Sequence, residues 1–358
     1  MDFPKPCSNM RFVLPVIFCF FMAMNATAQT KKEASFVLVI HGGAGTILKK
    51  NMNAEKEEAY KQELTKALQA GYDVLKSGGA AMDAVQAAIM IMEDSPLFNA
   101  GKGSVYTGEE TVEMDAAVMD GKTLNAGSVA GVKTIRNPIT AARAVMEKSK
   151  HVMMVGKGAE QFAGQNGIVI VDTSYFHDDN RLRQLRKAKE EERLETEKNK
   201  DKGSVDDTLK TDAFYFLNPD KKFGTVGAVA LDQNGNLAAG TSTGGMTNKK
   251  FGRVGDSPVI GAGTYANNKT CAVSCTGHGE YFIRNVVAHD VSAMMEYGKL
   301  TLEKAANKII HEKLVKQGGS GGLIALDKKG NFSMPFNTEG MYRGYVKADG
   351  KIEVLIYK

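Results

Sequence analysis

The sequence predicts an α+β protein with helices layered outside stacked sheets. Two observations carry this. Hydrophobic periodicity reads as a strand, a pair of helices, more strands and a helix, then a strand-rich second half holding two further helices. Composition is that of a globular chain, 43% hydrophobic and 24% charged over 358 residues, and no internal repeat divides it. Length alone permits two or three domains or one large one.

The elements follow in order. Residues 36–40, Phe-Val-Leu-Val-Ile, read as a strand running into a glycine-rich turn, His41-Gly42-Gly43-Ala44-Gly45. Residues 53–76 have helical spacing and many good helix formers, and Gly78-Gly79 ends them. Residues 80–92 form a second helix, apolar on most faces and therefore buried. Residues 111–119 and 127–132 read as strands. Asn137-Pro138 opens another helix, with Asn at the cap and Pro in the first turn. Residues 187–202 hold one large apolar side chain, Leu194, among Lys, Glu, Arg and Asp. Such a run buries too little surface to offset chain ordering, so it is a solvated helix or a flexible linker, near 187–210.

Beyond it, residues 224–231 and 236–241 are strands joined across Asn234-Gly235, a strong hairpin signal. Residues 270–274 form another strand, 280–297 and 302–315 two helices, and 321–326, 331–334 and 351–356 complete the sheets.

The N-terminus reads differently. Arg11 precedes an apolar run over residues 12–24, and Ala26-Thr27-Ala28 follows. This is the pattern of a secretory signal peptide, residues 1–28, cut before Gln29. The run is short for a membrane span of roughly 20 residues, so no membrane association is expected once the leader is removed. Met10 is an alternative start. Of four cysteines, Cys7 and Cys19 fall in the leader. Cys271 and Cys275 lie on one extended run with Cα atoms roughly 13 Å apart, beyond the ~7 Å limit for a disulfide, and read as small buried residues. Neither they nor the six scattered histidines have zinc-site spacing. The net charge of +5, from 46 basic and 41 acidic residues, gives no field for nucleic acid.

The chemistry centres on Gly224-Thr225-Val226-Gly227-Ala228-Val229-Ala230-Leu231-Asp232. Propensity alone makes this a strand starting with Thr. A functional reading makes Thr225 a new N-terminus. A threonine hydroxyl is a weak nucleophile and needs an adjacent base. The α-amine of an N-terminal threonine can serve, and it is released only when the Gly224–Thr225 bond is hydrolysed. Glycine before the cut tolerates a strained backbone.

This stretch resembles the start of the β-subunit in plant-type asparaginases (isoaspartyl peptidases) of the N-terminal nucleophile hydrolase superfamily. Four other stretches match in the same order: His41 to Gly45; Ser95-Pro96-Leu97-Phe98-Asn99-Ala100-Gly101-Lys102-Gly103; Thr241-Ser242-Thr243-Gly244-Gly245 through Gly252-Arg253-Val254-Gly255-Asp256-Ser257-Pro258; and Thr276-Gly277-His278-Gly279-Glu280. Singly each is weak; in register they cover most of the chain from about residue 36.

The resemblance implies a four-layer α-β-β-α sandwich, one domain over 36–358, nicked into an α-subunit (29–224) and a β-subunit (225–358). It implies Thr225 as nucleophile, Thr243 as the second threonine contacting it, and Thr276 with the Gly277 amide as oxyanion donors. Arg253 and Asp256 would clamp the substrate's α-carboxylate and α-ammonium, which suits planar cation and anion. Gly279 would present a carbonyl to the substrate amine, and Asn99 would approach the pocket. His278 reads as pocket wall. No cofactor is required, but a structural sodium ion is implied, held by the backbone carbonyls of Met92, Glu93, Ser95, Phe98, Ala100 and Lys102. A dimer of αβ pairs and a periplasmic or secreted location complete the expectation.

Two other functions stay open. Glycosylasparaginase activity shares the fold and fits export, but no Trp is present to stack a sugar. A non-enzymatic exported amino-acid-binding protein would use Arg253 and Asp256 and remain uncut. A dinucleotide site fails, because residues 41–45 lack G-x-G-x-x-G spacing.

Overall fold

The computed structural model describes residues 36–200 and 224–358. The leader and residues 201–210 of the charged linker lie outside the described residues. Among those described, no helix is long and apolar enough to cross a membrane.

Strands β1 (Val37–Gly45), β2 (Met114–Asp120), β3 (Ala126–Val132), β4 (Met153–Val155), β5 (Thr225–Leu231), β6 (Leu237–Thr243), β11 (Gly340–Lys347) and β12 (Ile352–Tyr357) form an eight-stranded sheet, ordered β12-β11-β1-β5-β6-β2-β3-β4. A second sheet has the order β10-β9-β8-β7, from β7 (Thr264–Ala266), β8 (Cys271–Gly277), β9 (Gly321–Asp327) and β10 (Phe332–Ser333). The α+β class is as predicted.

Strand alternation assigns each face. On β1 and β5, Leu38, Ile40, Val226 and Ala228 join a core with Leu64 and Leu68 of α1 (Ala54–Lys76) and Val85 and Ile89 of α2 (Ala81–Asp94). The intervening Val37, Val39, Val229 and Leu231 meet Ala272, Ile324 and Leu326 of the second sheet. The other face of that sheet, with Val273, Cys275, Leu323 and Ala325, packs on Val287 and Val291 of one helix and on Ile309. Each Val, Leu or Ile among these contributes roughly 1.5–3 kcal/mol on burial. Cys271 and Cys275 are both buried and free, as expected.

Local chemistry explains several boundaries. Asn53 caps α1 by accepting from the Lys56 amide at 2.8 Å. The Asn234-Gly235 turn closes the β5–β6 hairpin, with Gly235 at φ +75 and Asp232 Oδ1 accepting from the Asn234 and Asn236 amides at 2.9 Å. Three expectations need correction. The glycines after His41 are strand, not turn: β1 continues to Gly45 through an irregularity between His41 and Gly43. Asn137 precedes α3 (Pro138–Lys148) but makes no side-chain cap; its amide donates to Asp94 at 3.1 Å instead. The helix expected over 280–297 is two, α6 (Gly279–Asn285) and α7 (Val287–Glu296), broken at Val286, whose φ is +48. Between these and α3 lie α4 (Gly156–Gln165) and α5 (Asp179–Lys200), which carries the charged run as a helix to residue 200.

Candidate active site

Antiparallel pairing puts Thr225, first residue of β5, directly opposite Thr243, last of β6. Both face the second sheet by alternation, and the Thr225 hydroxyl donates to Thr243 Oγ1 at 3.1 Å. The Gly245 amide also donates to Thr243 Oγ1, at 3.0 Å. On the facing strand, Thr276 is fully buried and its Oγ1 accepts from the Ala44 amide at 3.2 Å. Gly277 follows at φ +152, packed so closely on Gly321 that a Cβ would come within 2.7 Å of its Cα.

Gly43, at φ +110, lies against the bond before Thr225. A Cβ there would be 2.8 Å from Gly224 Cα and 3.3 Å from the Thr225 nitrogen. The bulge in β1 therefore presses backbone onto the Gly224–Thr225 junction where no side chain fits.

A small cleft lined by Gly224, Thr225, Thr243, Arg253, Asp256 and Gly277, among others, joins these groups. Gly279 brings the charged pair together: a Cβ there would sit 2.8 Å from Arg253 Nη2 and 2.9 Å from Asp256 Oδ1. Burial pushes the Asp256 carboxyl up to about 6 against the pull of Arg253, and its Oδ2 is buried without a hydrogen-bond partner. Arg253 is held from behind. Its Nε and Nη2 donate to the two Glu280 oxygens, each at 2.8 Å. Burial would raise the Glu280 carboxyl, but hydrogen bonds from His278 and Arg253 outweigh it and keep it well below the usual range. His278 is 2% exposed and 3.1 Å from Glu280, behind the cleft rather than among its lining residues.

Asn99 reaches this region but commits its amide to backbone. Nδ2 donates to the Gly245 carbonyl at 2.7 Å, and Oδ1 accepts from Val105 at 2.9 Å. It thus fixes the loop after Thr243. In the segment that carries Asn99, a Cβ on Gly101 would meet the Glu93 carbonyl at 2.3 Å, and one on Gly103 the Phe98 carbonyl at 2.1 Å. The Glu93 and Phe98 carbonyls therefore lie directly against these two glycines.

Sequence reasoning missed a buried polar chain beside Thr225. His41 Nε2 lies 2.9 Å from Ser274 Oγ, which is 2.7 Å from Thr241 Oγ1, to which Thr264 Oγ1 donates at 2.7 Å. Burial pushes His41 down to about 3, opposed by the Thr225 backbone, so the ring is neutral at working pH. Gly227 leaves the room: a Cβ there would be 2.0 Å from Ser274 Oγ and 2.4 Å from His41 Nε2. Also missed was Asp115, which pairs with Thr243 on its other side, is fully buried and accepts from Gly131 at 2.8 Å. The available signal was hydroxyl residues two apart, Thr241/Thr243 and Ser274/Thr276, on strands whose inward positions are otherwise apolar.

The asparaginase family model matches residues 34–356. The chain belongs to the asparaginase family. It is 50% identical over 322 residues to the isoaspartyl peptidases of Escherichia coli K12 and of Salmonella typhimurium, covering 90% of this chain and 96% and 98% of theirs. It is 41% identical over 328 residues to the rat isoaspartyl peptidase/L-asparaginase, covering 92% of this chain and 91% of that one. The family resemblance read from the five motifs is borne out over residues 34–356.

Proposed function

We propose that this member of the asparaginase family is a self-processing amidohydrolase that releases L-aspartate from isoaspartyl (β-aspartyl) peptides and L-asparagine. The observation that carries it is the Thr225–Thr243 hydroxyl pair at 3.1 Å, set at a strand start with Gly43 backbone against the preceding bond. The stacking of helices, two sheets and helices supports a four-layer α-β-β-α sandwich, folded as one unit over 36–358 and then cut into α (29–224) and β (225–358) subunits.

In maturation the Thr225 hydroxyl adds to the Gly224 carbonyl, the Gly224–Thr225 C–N bond breaks to release the protonated α-amine and leave an ester on Oγ1, and water hydrolyses that ester to the Gly224 carboxylate and the Thr225 hydroxyl. The freed α-amine then takes the hydroxyl proton when Thr225 attacks a substrate side-chain carbonyl. Thr276 and the Gly277 amide donate to the developing oxyanion, Thr243 orients the nucleophile, and the leaving amine departs protonated. Water hydrolyses the acyl-threonine with the same amine as base. Arg253, steadied by Glu280, keeps Nη1 for the substrate α-carboxylate, and Asp256 with the Gly279 carbonyl takes the α-ammonium. An isoaspartyl linkage leaves that α-carboxylate free, as asparagine does, which sets the substrate class.

The Glu93 and Phe98 carbonyls, packed against Gly101 and Gly103, are oxygen donors of the kind a hard cation takes. Met92, Glu93, Ser95, Phe98, Ala100 and Lys102 would hold a sodium ion that stiffens the loop bearing Asn99; no chemical step passes through it. Removal of residues 1–28 would deliver the enzyme to the periplasm or outside the cell, as a dimer of αβ pairs.

The test is turnover of an isoaspartyl dipeptide, L-asparagine and N-acetylglucosaminyl-asparagine by the purified protein and by Thr225→Ala. Hydrolysis of the first two by the wild type alone is expected. Turnover of the glycosylated substrate only would move the assignment to glycosylasparaginase, and ligand binding without any turnover to a binding protein.

A further inference from the structure

Hydrolysis of the Gly224–Thr225 amide adds one water and makes two charges, a carboxylate on Gly224 and an ammonium on Thr225. The ammonium stays on β5 beside Thr243. The carboxylate requires a partner of its own, because an ionised group in a poorly hydrated site is costly.

Gly224 borders two cavities. One is the cleft described above. The other is a narrow pocket lined by Gly42, Tyr60, Phe98, Arg181, Gly224 and Tyr342, among others. Its walls are aromatic: Tyr60 stacks on Tyr342 with ring centroids 4.1 Å apart and meets Phe98 edge-on at 5.6 Å. The Tyr342 hydroxyl is buried beside that of Tyr60 and has no other hydrogen-bond partner among the described residues.

Among the described residues lining this cavity Arg181 is the one charged side chain, and it is 7% exposed. It belongs to the first turns of α5, where it and Leu185 anchor an otherwise charged helix. Among the described residues its guanidinium makes a single hydrogen bond, from Nη1 to Gln184 Oε1 at 3.2 Å. Asp178 is spent on the Arg181 backbone amide at 2.9 Å. A guanidinium has five N–H donors in a fork that matches a carboxylate. Burial lowers its pKa, and the attraction of Tyr60 and Asp178 offsets only part of that.

We propose that Arg181 receives the α-carboxylate set free at Gly224, with the Tyr342 hydroxyl as a second donor, so that the cut end of the α-subunit is docked in this cavity. This rests on the self-processing reading. Docking stabilises the cleaved over the uncleaved chain and keeps the new terminus out of the substrate cleft.

Fully matured wild type, Arg181→Gln and Arg181→Lys are incubated with a nonspecific carboxypeptidase, and the mass of the α-subunit is followed. Melting temperatures are compared for Arg181→Gln in the cut protein and in the uncut Thr225→Ala background. The expected result is α-subunit trimming about tenfold faster in Arg181→Gln, the factor for one lost charge-assisted hydrogen bond. Arg181→Lys should restore part of the protection, and the melting temperature should drop only in the cut state. Equal trimming of wild type and Arg181→Gln, or an equal drop in the uncut background, overturns the docking. A wild-type chain that never cuts sinks self-processing and docking together; a cut chain with a freely trimmed end sinks docking alone.

Discussion

The two ends of the β5–β6 ladder share one register and one face, yet do opposite work. At the hairpin end, Val229, Leu231, Leu237 and Ala239 fill the space between the sheets with apolar carbon. At the other end the same inward positions carry Thr225, Thr241 and Thr243, facing Ser274 and Thr276, with His41 beside them. Strand alternation sets direction at both ends, and only side-chain chemistry changes. One end supplies stability; the other holds hydroxyls in a buried frame where each has a defined partner.

This contrast can be broken by substitution. The largest effect is expected from Thr225→Ala, which should abolish both chain cleavage and turnover, read by gel and by ammonia or aspartate release; retained cleavage would remove Thr225 from the mechanism. Next, Thr276→Val in matured enzyme should cost about 10²–10³ in kcat with KM little changed, the usual loss for one oxyanion donor. A change confined to KM would assign Thr276 to substrate binding instead. At the hairpin end, Leu237→Ala should lower unfolding free energy by roughly 2–5 kcal/mol while the folded fraction keeps its kcat. Denaturant titration alongside single-turnover assays would separate the two ends. The smallest effect is a pH dependence. Asp256, pushed up to about 6, is neutral below that pH and loses its attraction for a substrate ammonium. The value of kcat/KM should fall as pH drops through 6, approaching about tenfold per unit. Asp256→Asn should flatten this limb; an unchanged limb would place the titrating group elsewhere.

Legibility in the sequence followed the range of the cause. Asn234-Gly235 in the β5–β6 turn acts through its neighbours and was readable. So were the apolar strands that alternate between two cores. β11 was missed, because Gly340 and Gly344 interrupt its pattern while pairing with both β1 and β12 supplies its stability. β1 was cut short for a related reason: its glycines look like a turn, but Gly42 and Gly43 are required by close approach of Phe98 and Gly224, far away in the chain. At the site, the motif residues could be named and given roles through the family resemblance. Their supports could not. Glu280 behind Arg253, Asp115 beside Thr243 and the His41–Ser274 bond, 233 residues apart, exist only once the two sheets face each other.

The central claim is that Thr225 becomes an N-terminus. Intact mass and N-terminal sequencing of the purified protein after prolonged incubation test it most directly. Two fragments, the smaller starting Thr225-Val226-Gly227, are the predicted result. A single uncut chain that still hydrolyses isoaspartyl substrate would contradict it, since the α-amine assigned as base would then be locked in an amide.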